Sequence, residues 1–348
     1  MSARSRLLSC AITLGALHLA VACAGFFAPY DPAVQDRSHP YAPPMRLHFV
    51  DARGGMHLRP FAYTQRLRAG TFDEYEEDSA QAIPIRFFVR GAPYGVFKAL
   101  PFRLHLFGAD APVYLLGADA YGRDLLSRIV FGGQVSLLAG LLGAGLTLSI
   151  GLCIGAVAGF CGGWKDDVLM RVAELFLALP WLYLLFAMRA FLPLSVPPVK
   201  AFLLVVGVLG AVGWARTARM VRAIVLSAKE RNFVRAARGF GATSYYLLYR
   251  HVLPQTSGVV LTQAAILVPQ FVLAEMTLSF LGLGVPEPVP SWGNLLAALQ
   301  HYNVLVSYWW MYLPALAMVP FFLGYLAIAS LLQADTGRAK IEEAPAGV

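Results

Sequence analysis

Long blocks of apolar residues constrain this chain more than any other feature of its sequence. Each block approaches the roughly 20 apolar residues that a helix needs to cross the hydrocarbon core of a bilayer. Only 14% of the residues are Asp, Glu, Lys or Arg, whereas about a quarter are charged in an ordinary soluble domain. The sequence therefore predicts an all-α integral membrane protein with six transmembrane helices. The predicted spans are residues 7–28, 135–160, 168–192, 201–221, 257–283 and 306–332.

The first apolar block has two interpretations, a retained span or a cleaved signal peptide. It follows Arg4 and Arg6, and residues 22–24 imitate a small-residue cleavage site. However, the block is longer than the apolar core of a usual signal peptide, which is about 7 to 15 residues. This difference favours a retained span.

The fourth block is the shortest, because its uncharged part covers only residues 201–215. It reaches across a bilayer only if Lys200 and Arg216 extend their charged ends to the two interfaces. We include it as the fourth span on that condition.

Basic residues are concentrated on one side of the predicted spans. Residues 216–250, at the end of span four and in the segment that follows it, contain eight Lys and Arg residues, whereas residues 284–307 contain none. Because cytoplasmic loops retain positive charge, we expect the basic segment and both termini to be cytoplasmic, and residues 29–133 to form a polar extracytoplasmic insertion. The net charge of +8 is then explained by topology, and nucleic-acid binding, which requires a basic face on a soluble module, is not expected.

The sequence lacks the residue patterns of metal-binding, redox, ATP-binding and catalytic sites. Cys10, Cys23, Cys153 and Cys161 lack the paired spacing of a zinc or redox site. No G-x-x-x-x-G-K-[ST] segment is available to hold the phosphates of ATP. We therefore predict no catalytic residue, no metal site and no cofactor in this chain, and do not expect an enzyme.

Five of the glycines in the second predicted span occur at intervals of three, eight, four and four residues. Small residues at such intervals allow two membrane helices to approach closely. We interpret them as packing positions rather than as a hinge. They are Gly140, Gly143, Gly151, Gly155 and Gly159.

The basic segment between spans four and five contains a helix–turn–helix pattern. A short alanine-containing helix precedes Gly241, whose freedom allows a left-handed turn, and a second helix with apolar Tyr246 ends near Pro254. Such a helix pair suits docking into a groove of another protein, but an amphipathic helix on the membrane surface has the same composition. The residues themselves leave both possibilities open.

This segment resembles the EAA loop of permease subunits of ABC importers. Ala-Ala, three residues, Gly, nine residues, one variable position and a Leu-Pro two residues after it occur at the spacing of that motif. Arg235 stands where the family usually has glutamate, so a particular salt bridge does not carry over. The resemblance implies an ATPase-coupling loop within residues 222–254. Its expected site residues are Arg235, Ala236, Ala237, Gly241, Tyr246, Leu253 and Pro254.

Further segments resemble the peptide/nickel class of these permeases, specifically its second permease subunit. The insertion at about residues 47–97 resembles a longer-loop branch of the oligopeptide permeases. Ala118 replaces a threonine that is usual in the class. The matching segments are residues 27–32, 116–128, 158–164, 278–284 and 290–293.

The resemblance implies a five-helix permease core preceded by one extra helix, in the bacterial inner membrane. The expected division is 1–28, a cytosolic tail and first helix; 29–133, the extracytoplasmic part; 134–334, the core; and 335–348, a cytosolic tail. Two ATPase subunits that bind ATP and Mg²⁺, a second permease subunit, an extracytoplasmic substrate-binding protein and membrane lipid are the implied partners. Peptides are the implied cargo. Nickel, a peptide-like antibiotic, or a membrane-anchored structural or sensory role are the alternatives.

Overall fold

The computed structural model describes residues 3–342 except for 69, 72–73, 97–99, 192 and 194–195. The chain divides into two compact units. The first consists mainly of Leu137–Glu275, and the second of Gly15–Ser136 and Met276–Val319.

Helices account for most of the described residues. They begin with α1 (Ala3–Ala22) and α2 (Ala24–Phe27), followed after the insertion by ten α-helical segments. These are α3 (Leu125–Cys161), α4 (Gly163–Ala178), α5 (Trp181–Ala190), α6 (Pro198–Lys229), α7 (Asn232–Gly239), α8 (Ser244–Tyr246), α9 (Ser257–Phe280), α10 (Trp292–Ala297), α11 (Tyr302–Ser307) and α12 (Leu313–Glu342).

Five helical stretches in the described part of the chain are long and apolar enough to cross a membrane. They coincide with the predicted first, second, fourth, fifth and sixth spans. They are Ser5–Ala22, Leu125–Cys161, Pro198–Lys229, Ser244–Phe280 and Trp309–Ala334.

The third predicted span is not a continuous helix. Its described residues fall mainly on α4 and α5, whose axes differ in direction by 93°, and residue 192 lies outside the described part of the chain. Leu179 has an extended backbone, with φ of −86° and ψ of 138°, because the ring of Pro180 disfavours the helical conformation in the residue before it. The third predicted span therefore consists of two helices with a sharp bend between them rather than one long apolar helix.

The fourth span is longer than its apolar run suggested. Helix α6 contains 32 residues, or about 48 Å at 1.5 Å per residue, against a hydrocarbon core of about 30 Å. Arg216 and Arg222 therefore lie on the helix, and so does the predicted start of the coupling loop at residue 222. Residues 222–229 are also helical, because a membrane-spanning helix can extend beyond the hydrocarbon core, where its side chains need not be apolar.

Glycines on α3 allow it to pack closely against α6 in the first unit. A methyl group added at Gly151 would lie 2.6 Å from Thr217 Cβ, and one at Gly159 would lie 2.9 Å from the Arg222 carbonyl oxygen. A methyl group at Gly155 would collide with the Ala218 carbonyl oxygen. The packing interpretation of these glycines is confirmed.

The insertion contains β-strands, so the expectation of an all-α protein was wrong for this region. β1 (His48–Val50), β2 (Met56–Leu67) and β3 (Tyr75–Pro84) form an antiparallel sheet, and β4 (Arg86–Val96) pairs with β5 (Leu100–Gly108). Ala62, Ile83 and Ile85 are buried in a core shared with Val113 and Tyr114. Residues 60–63 of β2 are consecutive and all buried, so the middle of this strand is covered on both of its faces.

An ionic cluster that contains the buried side chains of Arg123 and Arg128 lies at the start of α3 in the second unit. Arg123 Nε lies 2.7 Å from Asp119 Oδ2, and Glu287 accepts hydrogen bonds from Arg123 at 2.7 Å and from Arg128 at 2.8 Å. Asp124 caps the helix, since its Oδ2 accepts hydrogen bonds from the Ser127 amide at 2.8 Å and hydroxyl at 2.6 Å. Burial raises the pKa of Asp124 to about 6.

Candidate functional site

Helix α7 carries the first three predicted site residues, Arg235, Ala236 and Ala237. Beyond it, the amide of Gly241 donates to the Arg238 carbonyl at 3.0 Å, and the amide of Ala242 donates to the Ala237 carbonyl at 3.1 Å. Gly241 has a φ of +85°, in the left-handed region that favours glycine. The predicted left-handed turn at Gly241 is confirmed, and it reverses the chain after α7.

The second helix begins with a side-chain cap. Thr243 Oγ1 accepts a hydrogen bond from the Tyr246 amide at 3.3 Å, which satisfies one of the free amides at a helix start. The chain then continues as α8, a π-helical segment (Leu247–Val252) and a 3₁₀ segment (Leu253–Thr256) directly into α9. The helix pair is therefore covalently continuous with a long apolar helix.

Pro254 does not end the second helix, so that expectation was wrong. It lies in the first turn of the 3₁₀ segment, a position where the missing amide hydrogen costs little. The change of helix type around Pro254 allows the chain to continue without a break.

An apolar core fixes the helix pair to the end of α6. Val234 of α7 and Leu247 and Val252 of the second helix are buried against Val221 and Val225 of α6. Ala237 packs against the same core, which explains why a small side chain occurs at this position. The helix pair and α6 therefore form one packed body within the first unit.

The outer surface of the helix pair is aromatic. Phe240 is 93% exposed in the turn, and Tyr245, Tyr246 and Tyr249 are at least half exposed on the second helix. The rings of Tyr245 and Tyr249 lie 4.4 Å apart. Exposed aromatic side chains clustered in this way are typical of protein interaction surfaces.

Charge on the surface is positive. Arg235 Nη2 lies 2.6 Å from Glu230 Oε2, and this hydrogen bond lowers the pKa of Glu230 below its ordinary value. The guanidinium of Arg235 is thus already paired within the chain. Arg238 and Arg250 are exposed and make no ion pair with another described residue, so they carry the net charge of the surface.

The structure brings most of the predicted site residues onto this one body. Ala236 and Pro254 are exposed and Leu253 is partly buried, while Tyr246 stacks edge-on against His251 with the ring centres 5.5 Å apart. Sequence reasoning missed Phe240, which lies between two glycines, and the Tyr245–Tyr249 pair. The signal was present in the second case, because residues four apart share a helix face.

Comparison with known proteins adds a family match. The sequence family described as "Binding-protein-dependent transport system inner membrane component" matches residues 151–338, more than half of the chain. The matched range includes the whole helix pair.

Two similar proteins are both described as peptide permeases. A putative peptide permease protein of Brucella ovis is 38% identical over 197 residues, which are 57% of this chain and 63% of that protein. The oligopeptide transport system permease protein OppC of Bacillus subtilis is 34% identical over 218 residues, 61% of this chain and 68% of that protein. The chain thus spans less than two thirds of the first relative's length.

A solved inward-facing structure of the MetNI methionine ABC transporter aligns with 60% of this chain and 95% of that chain. The identity is 19% and the TM-score is 0.46.

Proposed function

The chain belongs to the family of binding-protein-dependent transport system inner membrane components, as its EAA-like segment predicted, and on that premise we propose that it is a permease subunit of an ABC importer. The proposed cargo is short peptides, moved across a bacterial inner membrane. The descriptions of the relatives from Brucella ovis and Bacillus subtilis support peptides. A nickel complex or a peptide-like antibiotic is the alternative cargo.

The proposed topology has six spans. The bent pair α4–α5 counts as one broken span, which joins the five continuous candidates. Both termini lie in the cytoplasm and residues 29–133 lie outside, because the basic residues cluster at the end of α6 and in the segment before α9 and cytoplasmic loops retain positive charge. The predicted domain division at residues 28, 133 and 334 is part of this proposal, although α3 already begins at Leu125.

We assign the helix pair of α7 and the second helix as the coupling site for an ATPase subunit. The observation that carries this assignment is its rigid attachment: Val234, Leu247 and Val252 are buried against α6, and the second helix continues into α9. A force on the exposed aromatic surface therefore reaches two long apolar helices. Arg235, Ala236, Ala237, Gly241, Tyr246, Leu253 and Pro254 form or border this site.

The proposed mechanism is differential binding. ATP brings two separate ATPase subunits together, and the helix pairs docked on them favour an outward-facing arrangement of the permease, while hydrolysis restores the inward-facing one. The chain itself is not an enzyme, since ATP and Mg²⁺ bind the ATPase subunits. A second permease subunit and an extracytoplasmic substrate-binding protein complete the proposed complex.

Co-purification tests the proposal directly. The chain is extracted in mild detergent from its own cells, and a stoichiometric pair of ATPase subunits is expected with it. Replacement of both exposed rings, Tyr245→Ala with Tyr249→Ala, is expected to release the ATPase subunits. Leu316→Ala, which alters a comparably exposed apolar side chain on α12, serves as the control and keeps them bound.

A substitution in the turn tests coupling rather than docking. Gly241→Pro removes the amide that donates to Arg238 and demands a φ near −65° where the chain has +85°. We expect normal membrane insertion and loss of substrate-dependent ATPase activity in the reconstituted complex. Normal activity would refute the coupling role, and a chain that never binds an ATPase would favour a membrane-anchored structural or sensory protein.

A further inference from the structure

A cavity of about 280 Å³ lies in the first unit, lined by residues of α4, α5, α6 and α9 around the α4–α5 bend. The lining of α9 includes Gln263, Ile266, Leu267 and Gln270, which share one face because they lie three, four and seven residues apart. Arg216 of α6 lines the same cavity.

The polar side chains of this cavity have no partners within the described part of the chain. Gln263 is only 6% exposed, and neither it nor Gln270 or Arg216 makes a hydrogen bond or ion pair with another described residue. A carboxamide offers two hydrogen-bond donors and an acceptor oxygen. No polar atom of Gln263 is fully enclosed without a partner, and Arg216 is exposed, so the cavity presents these polar groups to any occupant that enters it.

The chemistry of the walls defines that occupant. Among the described residues of the lining, Arg216 carries the only formal charge and no carboxylate balances it. A guanidinium binds a carboxylate through paired hydrogen bonds, whereas glutamine side chains bind amides. Gln263 and Gln270 lie seven residues apart, or about 10 Å along α9, which matches roughly three extended residues at about 3.3 Å each.

We propose that this cavity binds the carboxyl-terminal end of a short peptide, with Arg216 on the free carboxylate and Gln263 and Gln270 on main-chain amides. This inference rests on the proposed peptide cargo and adds a binding site to it. The cavity is slightly smaller than the roughly 300–1,000 Å³ of pockets for drug-sized ligands, so it holds the end of a peptide rather than a long one. Recognition of main-chain groups explains how one site would accept different side chains.

The test measures equilibrium binding of trialanine and of trialanine amide to the full chain in phosphatidylcholine nanodiscs. Trialanine is expected to bind about tenfold more tightly than its amide, a difference of about 1.4 kcal/mol. Arg216→Gln should remove that difference, and Gln263→Leu should weaken both peptides about tenfold. Gln255→Leu is the matched control, because Gln255 is exposed and does not line the cavity, and it should leave both affinities unchanged.

Several results would overturn the proposal. They are the absence of binding, equal affinity for the acid and the amide, and unchanged affinity in Gln263→Leu. Displacement of trialanine by equimolar inorganic phosphate, or by phosphatidylglycerol added to the nanodisc, would instead identify a general anion site or a lipid headgroup site. Thermal unfolding of each variant verifies folding, and Gln270→Leu replaces Gln263→Leu if the latter is unfolded.

Failure of the peptide-binding cavity can be distinguished from failure of the proposed transport function. If ATPase subunits co-purify with the chain but trialanine does not bind, only the cavity assignment fails. If no ATPase subunit co-purifies, the transport proposal fails regardless of peptide binding.

Discussion

The turn at Gly241 provides a sharp test of the coupling-site structure. Gly241 has a φ of +85°, and no atom lies within 4 Å of the position that a β-carbon would occupy. Alanine at this position therefore meets no steric obstacle outside its own backbone. Its only penalty is the left-handed conformation, which costs an L-residue about 1–2 kcal/mol.

A matched control lies two residues away. Gly239 is in helix α7, and a β-carbon added there also has no atom within 4 Å. Alanine is favoured over glycine by about 0.5–1 kcal/mol in the middle of a helix. Gly239 is the last residue of α7, so Gly239→Ala is expected to stabilise α7 by less than this amount. Two identical chemical changes in open space are thus expected to have opposite effects.

Hydrogen exchange at the amide of Ala242, which donates to the Ala237 carbonyl at 3.1 Å, measures local opening of the turn. An increase of 1–2 kcal/mol in the free energy of the closed state corresponds to roughly 5- to 30-fold faster exchange in Gly241→Ala. Exchange in Gly239→Ala should be unchanged or slower. Equal effects of the two substitutions, or slower exchange in Gly241→Ala, would refute the reasoning from backbone conformation.

Two further predictions concern other parts of the chain. Gly155→Ala should lower the stability of the first unit by about 1–3 kcal/mol through overpacking, because its methyl group meets the backbone of α6. The control is Gly145→Ala on the same helix, where the added methyl group has open space. Thermal unfolding in detergent compares the two variants, and equal melting temperatures would contradict the close packing of α3 against α6. Asp124, whose pKa is raised from 3.8 to about 6, should contribute about 3 kcal/mol of stability below pH 4 that is lost as the pH rises through 6. The native chain loses this stability between pH 4 and pH 8, whereas Asp124→Asn does not. The melting temperature of the variant minus that of the native chain should therefore increase over this pH range, and a constant difference would rule out the raised pKa.

Local sequence patterns determined much of the helical structure. Five of the predicted spans coincide with long apolar helices, because every backbone polar group in a bilayer must be satisfied within its own segment. The left-handed turn was also predictable, since Gly241 lacks the β-carbon that would oppose it. Both features depend on residues that are neighbours in the chain.

Prolines show where local reasoning ends. Pro269 and Pro320 lie inside the continuous helices α9 and α12, and Pro254 lies within a continuous helical path, yet the chain bends by 93° at Pro180. Each proline removes one backbone hydrogen bond. Whether the helix then continues depends on the packing around it, which the sequence near the proline does not specify.

Tertiary structure alone decided the remaining features. Each strand of the insertion pairs with its neighbour in the chain, but which of its faces are buried depends on packing against residues as distant as Val113 and Tyr114. Gln263, Gln270 and Arg216 are distant in sequence and ordinary individually, and only the packing of α6 and α9 places them around one cavity. Helix positions follow from short-range hydrophobic pattern, but the contacts between helices depend on the simultaneous fit of many side chains.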